Sequence, residues 1–524
     1  MKQAGESEAE MRRTAPDAFA VVSKGAAGEA VEAHANDPSS PAASNFAQRA
    51  VSGVLWTYVS FAGSKLLVFA STVILARLLA PAQFGEVGFA LLVIAYLETI
   101  GDFGISSALI YERERPEQAA NIAFVVSLAT GVLWFAVAYA CAPLVARFFD
   151  DAAVVPILRT ISFVFIINAL GNTHDALLRR KLEFKKRLAP DLAMAVLKGA
   201  CSILLAVWGW GAWSLVWGQL IGATASTIAL WIVVPWRPRW QFSREAMRRM
   251  LGYGGQVVSV NVIAAIVHDI DYVIVGRLGS VALGFYTLAY RTPELFITMI
   301  IWVVGKVAFP IYSRLQDDRP ALRQAFLVTL RYLSLLTVPA GVGLAVLGGL
   351  FVSTFYGEQW QPTIATLQAL SIAGCLRSLG SHAGDVYKAT GRPDILVKLG
   401  VLRAAVLIPA LIWGARYGIF GVAVAQIIVT GASTLVNLYV AGKIMEVSMR
   451  ALLGEFKTAI LSAAAMVVGL QLLLPVLKGS PKWIGLSAAV VAGGAIYVGV
   501  AWLVGRETIE QARAIVGSSL KKTQ

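Results

Sequence analysis

The sequence predicts an all-α, polytopic membrane protein of about fourteen transmembrane helices, arranged as two six-helix lobes plus two extra C-terminal helices. Three observations support this fold class. Of the 524 residues, 57% are apolar and 15% are charged, whereas soluble domains carry about 25% charged residues. Apolar runs of about 20 residues, the length that crosses a bilayer, recur from Ala50 onward. Motifs of the first half also reappear later in the chain. The composition and the apolar runs exclude a water-soluble globule.

Residues 1–45 differ from the rest, because they are rich in Ala, Glu, Ser and Pro and hold no apolar stretch of spanning length. This composition predicts a disordered tail. The tail lacks the basic start and apolar centre of a signal peptide. We therefore expect it to stay in the cytoplasm.

Fourteen apolar segments follow the tail, and we number them as spans 1 to 14. Their approximate limits are 51–76, 84–109, 119–146, 153–177, 189–208, 211–235, 251–275, 282–309, 324–348, 362–387, 395–413, 418–441, 458–476 and 483–504. A closed barrel would show alternating strands of about ten residues. These runs are too long and too uniformly apolar for that alternative.

The basic residues between the spans predict the orientation, because short cytoplasmic loops are enriched in Lys and Arg. The loops after even-numbered spans and the C-terminal tail 506–524 hold 25 Lys and Arg residues, against 6 in the loops after odd-numbered spans. Both termini are therefore expected in the cytoplasm. The densest clusters, within residues 179–187 and 237–249, either set the orientation alone or also contact anionic headgroups.

An internal repeat divides the spans into two halves. The segment from Arg77 to Gly85 after span 1 matches that from Arg277 to Gly284 after span 7, and Gly218-Gln219 in span 6 matches Ala425-Gln426 in span 12. The repeat predicts lobes at residues 46–240 and 241–445, with an extra helix pair at 446–505. Six spans per half give both lobes one orientation, an arrangement typical of transporters that rock two halves against each other.

Five cations lie deep within predicted spans, where a charge is costly and usually faces a protein interior or a cavity. They are Lys65, Lys198, Arg291, Arg377 and Arg403. If several face one cavity, the site suits an anionic group such as a phosphate or pyrophosphate, because Arg offers paired donors and Lys a point charge. The alternative for each cation is a structural ion pair.

Acidic residues occupy the same spans as several of these cations. They are Glu98, Asp102, Asp269, Asp271 and Glu294. Glu98 and Asp102 are four apart and share a helix face, which makes them candidates for proton coupling. Ion pairing with Lys65 or Arg291, or a position at the helix end, are the alternatives.

Two polar stripes follow helical spacing inside spans. They are Asn168, Asn172 and Asp175 in span 4, and Ser378, Ser381, His382 and Asp385 in span 10. Hydrogen bonding between helices explains such stripes about as well as contact with a substrate.

The chain shows no signature of an enzyme. The sequence has no Gly-Lys-Ser/Thr phosphate loop, no Gly-x-Ser-x-Gly elbow with partners and no paired metal-ligand spacing. Three cysteines, Cys141, Cys201 and Cys375, lie in apolar runs and do not suggest a disulfide framework. We therefore expect no catalytic residues, no metal and no cofactor, with energy drawn from an ion gradient, the membrane potential or product withdrawal.

Several sequence motifs resemble those of a known protein family. They are Leu75–Gly85, Asp102–Ile110, Leu178–Lys185, Asp271–Gly279, Leu283–Tyr290 and Phe309–Leu315. In this order, over residues 46–445, they resemble the polysaccharide-exporter branch of the multidrug/oligosaccharidyl-lipid/polysaccharide flippase superfamily, nearest to the Wzx-type exporters of colanic acid and exopolysaccharide.

The resemblance implies a flippase that moves a polyprenyl-diphosphate-linked oligosaccharide from the inner to the outer leaflet of the bacterial inner membrane, for exopolysaccharide, capsule or O-antigen assembly. By position, Lys65 and Arg291 would meet the diphosphate. Glu98, Asp102, Asp271 and Glu294 would balance charge or couple an ion. A polysaccharide polymerase and a chain-length regulator are the protein partners it suggests, and no nucleic acid is implied.

Three alternatives remain. A drug/cation antiporter of the same superfamily would be expected to carry an acidic residue in span 1, where this chain has Lys65. A lipid II flippase shares the number of spans but not the motifs. A membrane polymerase or glycosyltransferase would need a large extracytoplasmic loop or a soluble domain, and no loop after Ala50 exceeds roughly twenty residues.

Overall fold

A computed structural model describes residues 63–101, 109, 116–181, 183–239, 269–477 and 479–506. Every regular element in these ranges is a helix. Eleven of these helices are long and apolar enough to cross a membrane, which confirms a multi-pass, all-α membrane protein. The predicted tail 1–45 and the C-terminal residues after Arg506 lie outside the described ranges.

The first lobe contains spans 1 to 6. Span 1 is described from residue 63 and is helical over 63–78. Spans 2 to 6 are formed by Pro81–Gly101, Pro116–Phe149, the pair Val154–Ile161 and Phe163–Arg180, Phe184–Val207, and Ala212–Val233. Span 3 packs against span 4, and spans 4 and 5 both pack against span 6.

The second lobe and the final pair contain spans 7 to 14. Span 7 is described only from residue 269 and is helical over 269–276. Span 8 consists of Ser280–Pro293, a π turn Glu294–Thr298 and Met299–Arg314; spans 9 to 12 are Arg319–Phe355, the pair Thr363–Gly380 and Ala383–Ala389, Asp394–Ala415, and Gly418–Met445. A short 3-10 turn Glu358–Trp360 precedes span 10, Met449–Gly454 precedes span 13, and spans 13 and 14 are Lys457–Leu473 and Lys482–Val504. Spans 13 and 14 pack on each other and on span 9.

Three of the fourteen predicted spans are not among the eleven spanning helices. Spans 1 and 7 are only partly described. Span 10 is described in full, but it is interrupted at Ser381 and His382, and its two helices are shorter than the predicted segment. The polar side chains of the predicted stripe are concentrated at this interruption. They split the segment into two shorter apolar parts.

The two lobes meet through spans 2 and 8, which occupy equivalent places in the repeat. A large apolar cluster joins the lobes at this contact, with Phe84, Phe89 and Ala90 of span 2 beside Leu283 and Tyr286 of span 8. A second cluster lies inside the second lobe and extends to spans 13 and 14. The contact between spans 2 and 8 therefore fixes how the lobes sit around the space between them.

Candidate functional site

A small cavity lies where spans 1, 2, 5, 6 and 8 come together. Its volume is about 70 Å³. Two cations, Lys198 and Arg291, line it. The neutral polar side chains in its wall are Ser71, Thr72, Ser202, Gln219 and Thr287. The cavity thus combines positive charge with hydroxyl and amide groups inside the membrane-spanning part of the chain.

Span 6 positions Lys198 by allowing span 5 to approach closely. Gly218 and Gly222 are four residues apart on span 6, and both face span 5. A Cβ at Gly218 would lie 1.8 Å from Oγ of Ser202, and one at Gly222 would lie 2.7 Å from Cβ of Lys198. Small residues at this spacing are the usual means of close helix packing in membranes. The glycines therefore hold Lys198 against the cavity wall.

The π turn in span 8 begins three residues after Arg291, at Glu294. Pro293 has no N–H to donate, so the regular hydrogen bonding of the helix is broken there, and Glu294–Thr298 forms the wider turn. Next to Arg291, the hydroxyl of Thr292 lies 2.8 Å from that of Tyr356, the residue that follows span 9. Such π turns often occur at functional sites, and this one places Arg291, whose residue surface is exposed, in the cavity wall.

Three of the predicted cations are neighbours. Lys198 lies close enough to Arg291 and Lys65 for both charges to act on it. Like charges gathered in a medium of low dielectric repel each other. An anion held between these three residues would relieve that repulsion, and its own burial would be compensated by the cations.

The other two cations lie deeper in the second lobe. The Arg377 guanidinium donates to the hydroxyl of Tyr290, at 3.3 Å, and to that of Thr298, at 3.4 Å. Arg403 is within electrostatic range of Arg377 and Asp271, while its Nε is buried without a hydrogen bond. The five predicted cations therefore form two groups, and only Lys198 and Arg291 of the first group line the cavity between the lobes.

Asp271 is the centre of a buried network in the second lobe. The side chain is fully buried. Its Oδ2 accepts hydrogen bonds from the hydroxyl of Tyr286, at 2.7 Å, and from Nε2 of Gln426, at 3.0 Å. Charge-assisted bonds of this kind are about twice as strong as neutral ones. The network links spans 7, 8 and 12 of one lobe.

The remaining predicted acids in the described part of the chain are Glu98, Glu294 and Asp269. Glu98 accepts a hydrogen bond from Nδ2 of Asn168, at 2.9 Å. Glu294 opens the π turn, and Asp269 is half-buried at the start of the described part of span 7. Asp102 lies outside the described residues, so its proposed pairing with Glu98 stays a prediction.

One end of the space between the lobes is closed by two equivalent backbone contacts. A Cβ at Gly85 would lie 1.8 Å from the carbonyl oxygen of Ser280, and a Cβ at Gly284 would lie 1.9 Å from that of Pro81. Gly85 and Gly284 correspond in the repeat, as do Pro81 and Ser280. Spans 2 and 8 therefore cross with a local two-fold relation that only glycine allows.

Two arginines reinforce the same closure. Arg77 of the first lobe donates from Nε to the carbonyl of Phe355 at 2.9 Å, and also to that of Thr354, at the end of span 9. Arg277 of the second lobe donates to the carbonyl of Phe148, at the end of span 3. Spans 3 and 9 correspond in the repeat. Each arginine thus binds the carboxyl end of a helix in the opposite lobe, where a positive charge is favoured by the helix dipole.

Trp360 completes the closed end. The indole Nε1 donates to the carbonyl of Ala76, at 2.7 Å, and its ring meets that of Phe84 edge-on, with centroids 5.3 Å apart. All of these contacts lie beside the loops that follow odd-numbered spans. The charge distribution predicts that those loops face away from the cytoplasm.

Sequence reasoning missed several polar residues at these sites, although one signal was present. Gln219 lines the cavity and Gln426 binds Asp271, and both belong to the repeated motif of spans 6 and 12. Tyr286 and Tyr290 lie outside the repeated segments, although both belong to the family-like motif Leu283–Tyr290. Among the described residues, no three His, Cys, Asp or Glu side chains are placed to hold a metal ion.

Comparisons with known proteins agree with this architecture. The model of a family described as "Polysaccharide biosynthesis protein" matches residues 74–365, which is more than half of the chain. The lipopolysaccharide biosynthesis protein WzxC of Escherichia coli is 26% identical over 398 residues, covering 75% of this chain and 81% of that protein. The succinoglycan biosynthesis transport protein ExoT of Rhizobium meliloti is 25% identical over 383 residues, covering 73% and 78%.

Among solved structures, the lipid II flippase MurJ in an inward closed conformation superposes with a TM-score of 0.69. The match covers 87% of this chain and all of that one, at 15% sequence identity. At this identity the likeness concerns the fold.

Proposed function

Since the chain belongs to the polysaccharide biosynthesis protein family and acts there as a membrane exporter, we propose that its cargo is a polyprenyl-diphosphate-linked oligosaccharide. The protein moves this cargo from the inner to the outer leaflet of the bacterial inner membrane. No bond is made or broken in the step. Both termini lie in the cytoplasm, and a polysaccharide polymerase and a chain-length regulator act next on the exported unit.

The observation that carries this proposal is the cationic cavity between the lobes. Lys198 and Arg291 line it, and Lys65 is near. A diphosphate is the most highly charged part of the proposed cargo, and Arg and Lys bind phosphate oxygens with charge-assisted hydrogen bonds. A cationic drug would be repelled by the same three charges. A cavity of about 70 Å³ is too small for such a cargo, so the proposal requires the cavity to enlarge when the cargo enters.

The closed end supports a cycle of alternating access. In the orientation we propose, the contacts of Gly85, Gly284, Arg77 and Arg277 seal the side away from the cytoplasm. Cargo then enters from the cytoplasmic side, the diphosphate meets the cations, and the lobes rock so that this seal opens. When the diphosphate is released on the outer side, Lys65, Lys198 and Arg291 again repel one another.

A complementation assay tests the proposal. A host lacking its own exopolysaccharide flippase receives the wild type, Lys198→Ala or Arg291→Ala at equal membrane expression, and surface polymer is measured. We expect the wild type to restore polymer. Each variant should reduce output about tenfold or more, because a hydrogen bond to a charged group contributes about 1.5–3 kcal/mol.

Arg416→Ala is the matched control. Arg416 is exposed in the loop between spans 11 and 12, outside the cavity, so its loss should leave polymer output unchanged. Polymer restored equally by all variants would remove the cations from the site while leaving the exported cargo as proposed. A wild type that restores nothing, in a host that accumulates no polyprenyl-linked units when the native gene is deleted, would refute the function itself.

A further inference from the structure

The interruption in span 10 holds two paired titratable side chains that the cavity does not use, a buried His382 and a partly buried Asp385. His382 is 2% exposed. Its Nδ1 lies 2.9 Å from Oδ2 of Asp385. Because the carboxylate accepts, Nδ1 carries the proton, and Nε2 of the neutral ring is then a free acceptor. Nε2 is buried and has no hydrogen-bond partner among the described residues.

Span 8 covers this pair at a glycine. A Cβ placed on Gly305 would lie only 3.1 Å from Cε1 of His382 and 3.8 Å from Oδ2 of Asp385. The second half of span 8 packs directly on the helix Ala383–Ala389. The imidazole therefore meets the backbone of the same helix that carries Arg291 on the other side of its π turn.

The charged and titratable groups around the pair are few. On the same helix, Nζ of Lys388 lies 3.4 Å from Oδ1 of Asp385. On span 8, Tyr312 is within electrostatic range of Asp385, and Lys306 lies over the ring of Trp302. At the start of span 11, Lys398 and Asp394 form an ion pair with each other. Span 9 contributes the neutral hydroxyl of Thr337, which is hydrogen-bonded to Ser378. Span 12 contributes the carbonyl of Asn437, which accepts a hydrogen bond from Tyr387.

We propose that His382 and Asp385 form a proton-binding site that couples a proton gradient to the transport cycle, an inference that rests on the proposed function. A hydronium ion from the aqueous phase gives its proton to the lone pair of Nε2: one O–H bond breaks, one N–H bond forms and a water molecule is left. The product is an imidazolium still paired with Asp385. An ionisable side chain within a membrane-spanning segment is a functional-site hypothesis by default, and buried His382 has a free acceptor at Nε2.

Proton binding changes the packing of span 8. Once Nε2 is protonated, a charged donor is buried with no acceptor among the described residues, while span 8 packs against the ring at Gly305, and a buried donor without a partner is unfavourable. The protonated site therefore favours the conformation in which span 8 leaves span 10 and Nε2 reaches water. A ligand that binds one conformation better shifts the population toward it, so acid favours separation of the two helices and deprotonation restores the packed state.

Histidine NMR tests proton binding without any cargo. The chain has four histidines, so the full-length protein labelled with ¹⁵N-histidine in lipid nanodiscs gives a short spectrum. The His382 signals are those missing from His382→Gln. Spectra are recorded from about pH 4 to about pH 9, and we expect the His382 signals to report protonation of Nε2 in the wild type and to respond differently in Asp385→Asn. A His382 signal that stays unchanged over this range would overturn the proposal.

Transport in proteoliposomes tests the coupling. The probe is the polyprenyl-diphosphate-linked oligosaccharide extracted from the native host, and a dye inside the vesicles reports pH. We expect an imposed proton gradient to raise the wild-type rate roughly tenfold, with proton movement, and His382→Gln to show no acceleration by the gradient.

His174→Gln is the matched control, because His174 is also buried, packed between Trp231 and Trp236 in the first lobe. It should respond to the gradient like the wild type. Wild-type transport without proton movement, or gradient-driven transport that survives in His382→Gln, would overturn the coupling while the proposed function stands. A wild type that transports nothing would refute the function, and the NMR titration would then decide the proton site alone.

Discussion

Individual residues in the second lobe show how a charge is stabilised away from water. Asp271 is fully buried, yet it accepts side-chain hydrogen bonds from two other spans and lies within electrostatic range of Arg403. Burying a charge is costly unless it is paired and hydrogen-bonded. The buried carboxylate is therefore stabilised by its donors, and the buried donors are satisfied by the carboxylate.

We expect Asp271→Ala to destabilise the protein strongly. The substitution leaves the Tyr286 hydroxyl and the Gln426 amide without an acceptor and removes the counter-charge of the nearby arginines, a loss of about 3–5 kcal/mol. Tyr286→Phe should cost less, about 1–3 kcal/mol. Unfolding of the purified variants in detergent measures both effects.

Tyr439→Phe serves as the control for that comparison, because Tyr439 lies on span 12 like Gln426 but is exposed. It should unfold with the wild type. Equal stability of Asp271→Ala and the wild type would show that the network does not hold the lobe together.

Helix elements show why spans 2 and 8 are matched to each other. Both cross at a glycine set against a main-chain carbonyl of the partner helix. Backbone atoms cannot rotate aside as side chains do, so the crossing is sensitive to any added atom. Because of the repeat, the same close contact between a glycine and a carbonyl occurs twice, at Gly85 and at Gly284.

Gly284→Ala tests the crossing. The added Cβ would lie 1.9 Å from the Pro81 carbonyl oxygen and must reach at least 3.4 Å for ordinary contact, so we expect the closed end to open. Spin labels on cysteines replacing Trp210 and Tyr417, which are exposed beside odd-numbered loops of opposite lobes, measure the change as a longer distance.

Gly349→Ala is the control, because a Cβ at Gly349 in span 9 meets nothing within 4 Å. It should leave the label distance unchanged and raise helix stability by up to about 1 kcal/mol. An unchanged distance in Gly284→Ala would mean that this contact does not set the separation of the lobes.

At the scale of the whole molecule, the lobes are joined by reciprocal arginine contacts. We expect Arg77→Gln and Arg277→Gln each to populate the open state about tenfold more, because each removes charge-assisted bonds to carbonyls of the other lobe. The two sites share no partner, so their effects should add in the double variant. The same pair of spin labels measures the populations.

Arg416→Gln controls for loss of charge at that end, since Arg416 is exposed and belongs to neither contact. A double variant that stays as closed as the wild type would show that apolar packing around Trp360 is sufficient for closure.

Much of this architecture could be predicted from the sequence, because spanning length and apolar composition are local properties. The repeat also predicted that Arg77 corresponds to Arg277. Which helices cross could not be predicted, since the contact of Gly85 with Ser280 joins residues about 200 positions apart. The break at Ser381 was hidden because no proline marks it.

The candidate site was predicted only in part. The residue types in the spans indicated deep cations, but their division into a cavity group and an Arg377 group depends on how the lobes are packed. Spacing along one helix places residues on a face. It does not say whether that face meets the other lobe or the interior of its own.

The glycine crossing also determines which substitutions this part of the chain can accept over generations. Gly85 is constrained, since every other residue carries a Cβ that would collide with the Ser280 carbonyl. Ser280 contributes only its backbone to that contact, so the contact itself accepts many side chains there. Random mutagenesis under selection for polymer export should therefore leave Gly85 and Gly284 almost invariant, while position 280 accepts many substitutions. Two residues in direct contact would then differ strongly in their tolerance to substitution.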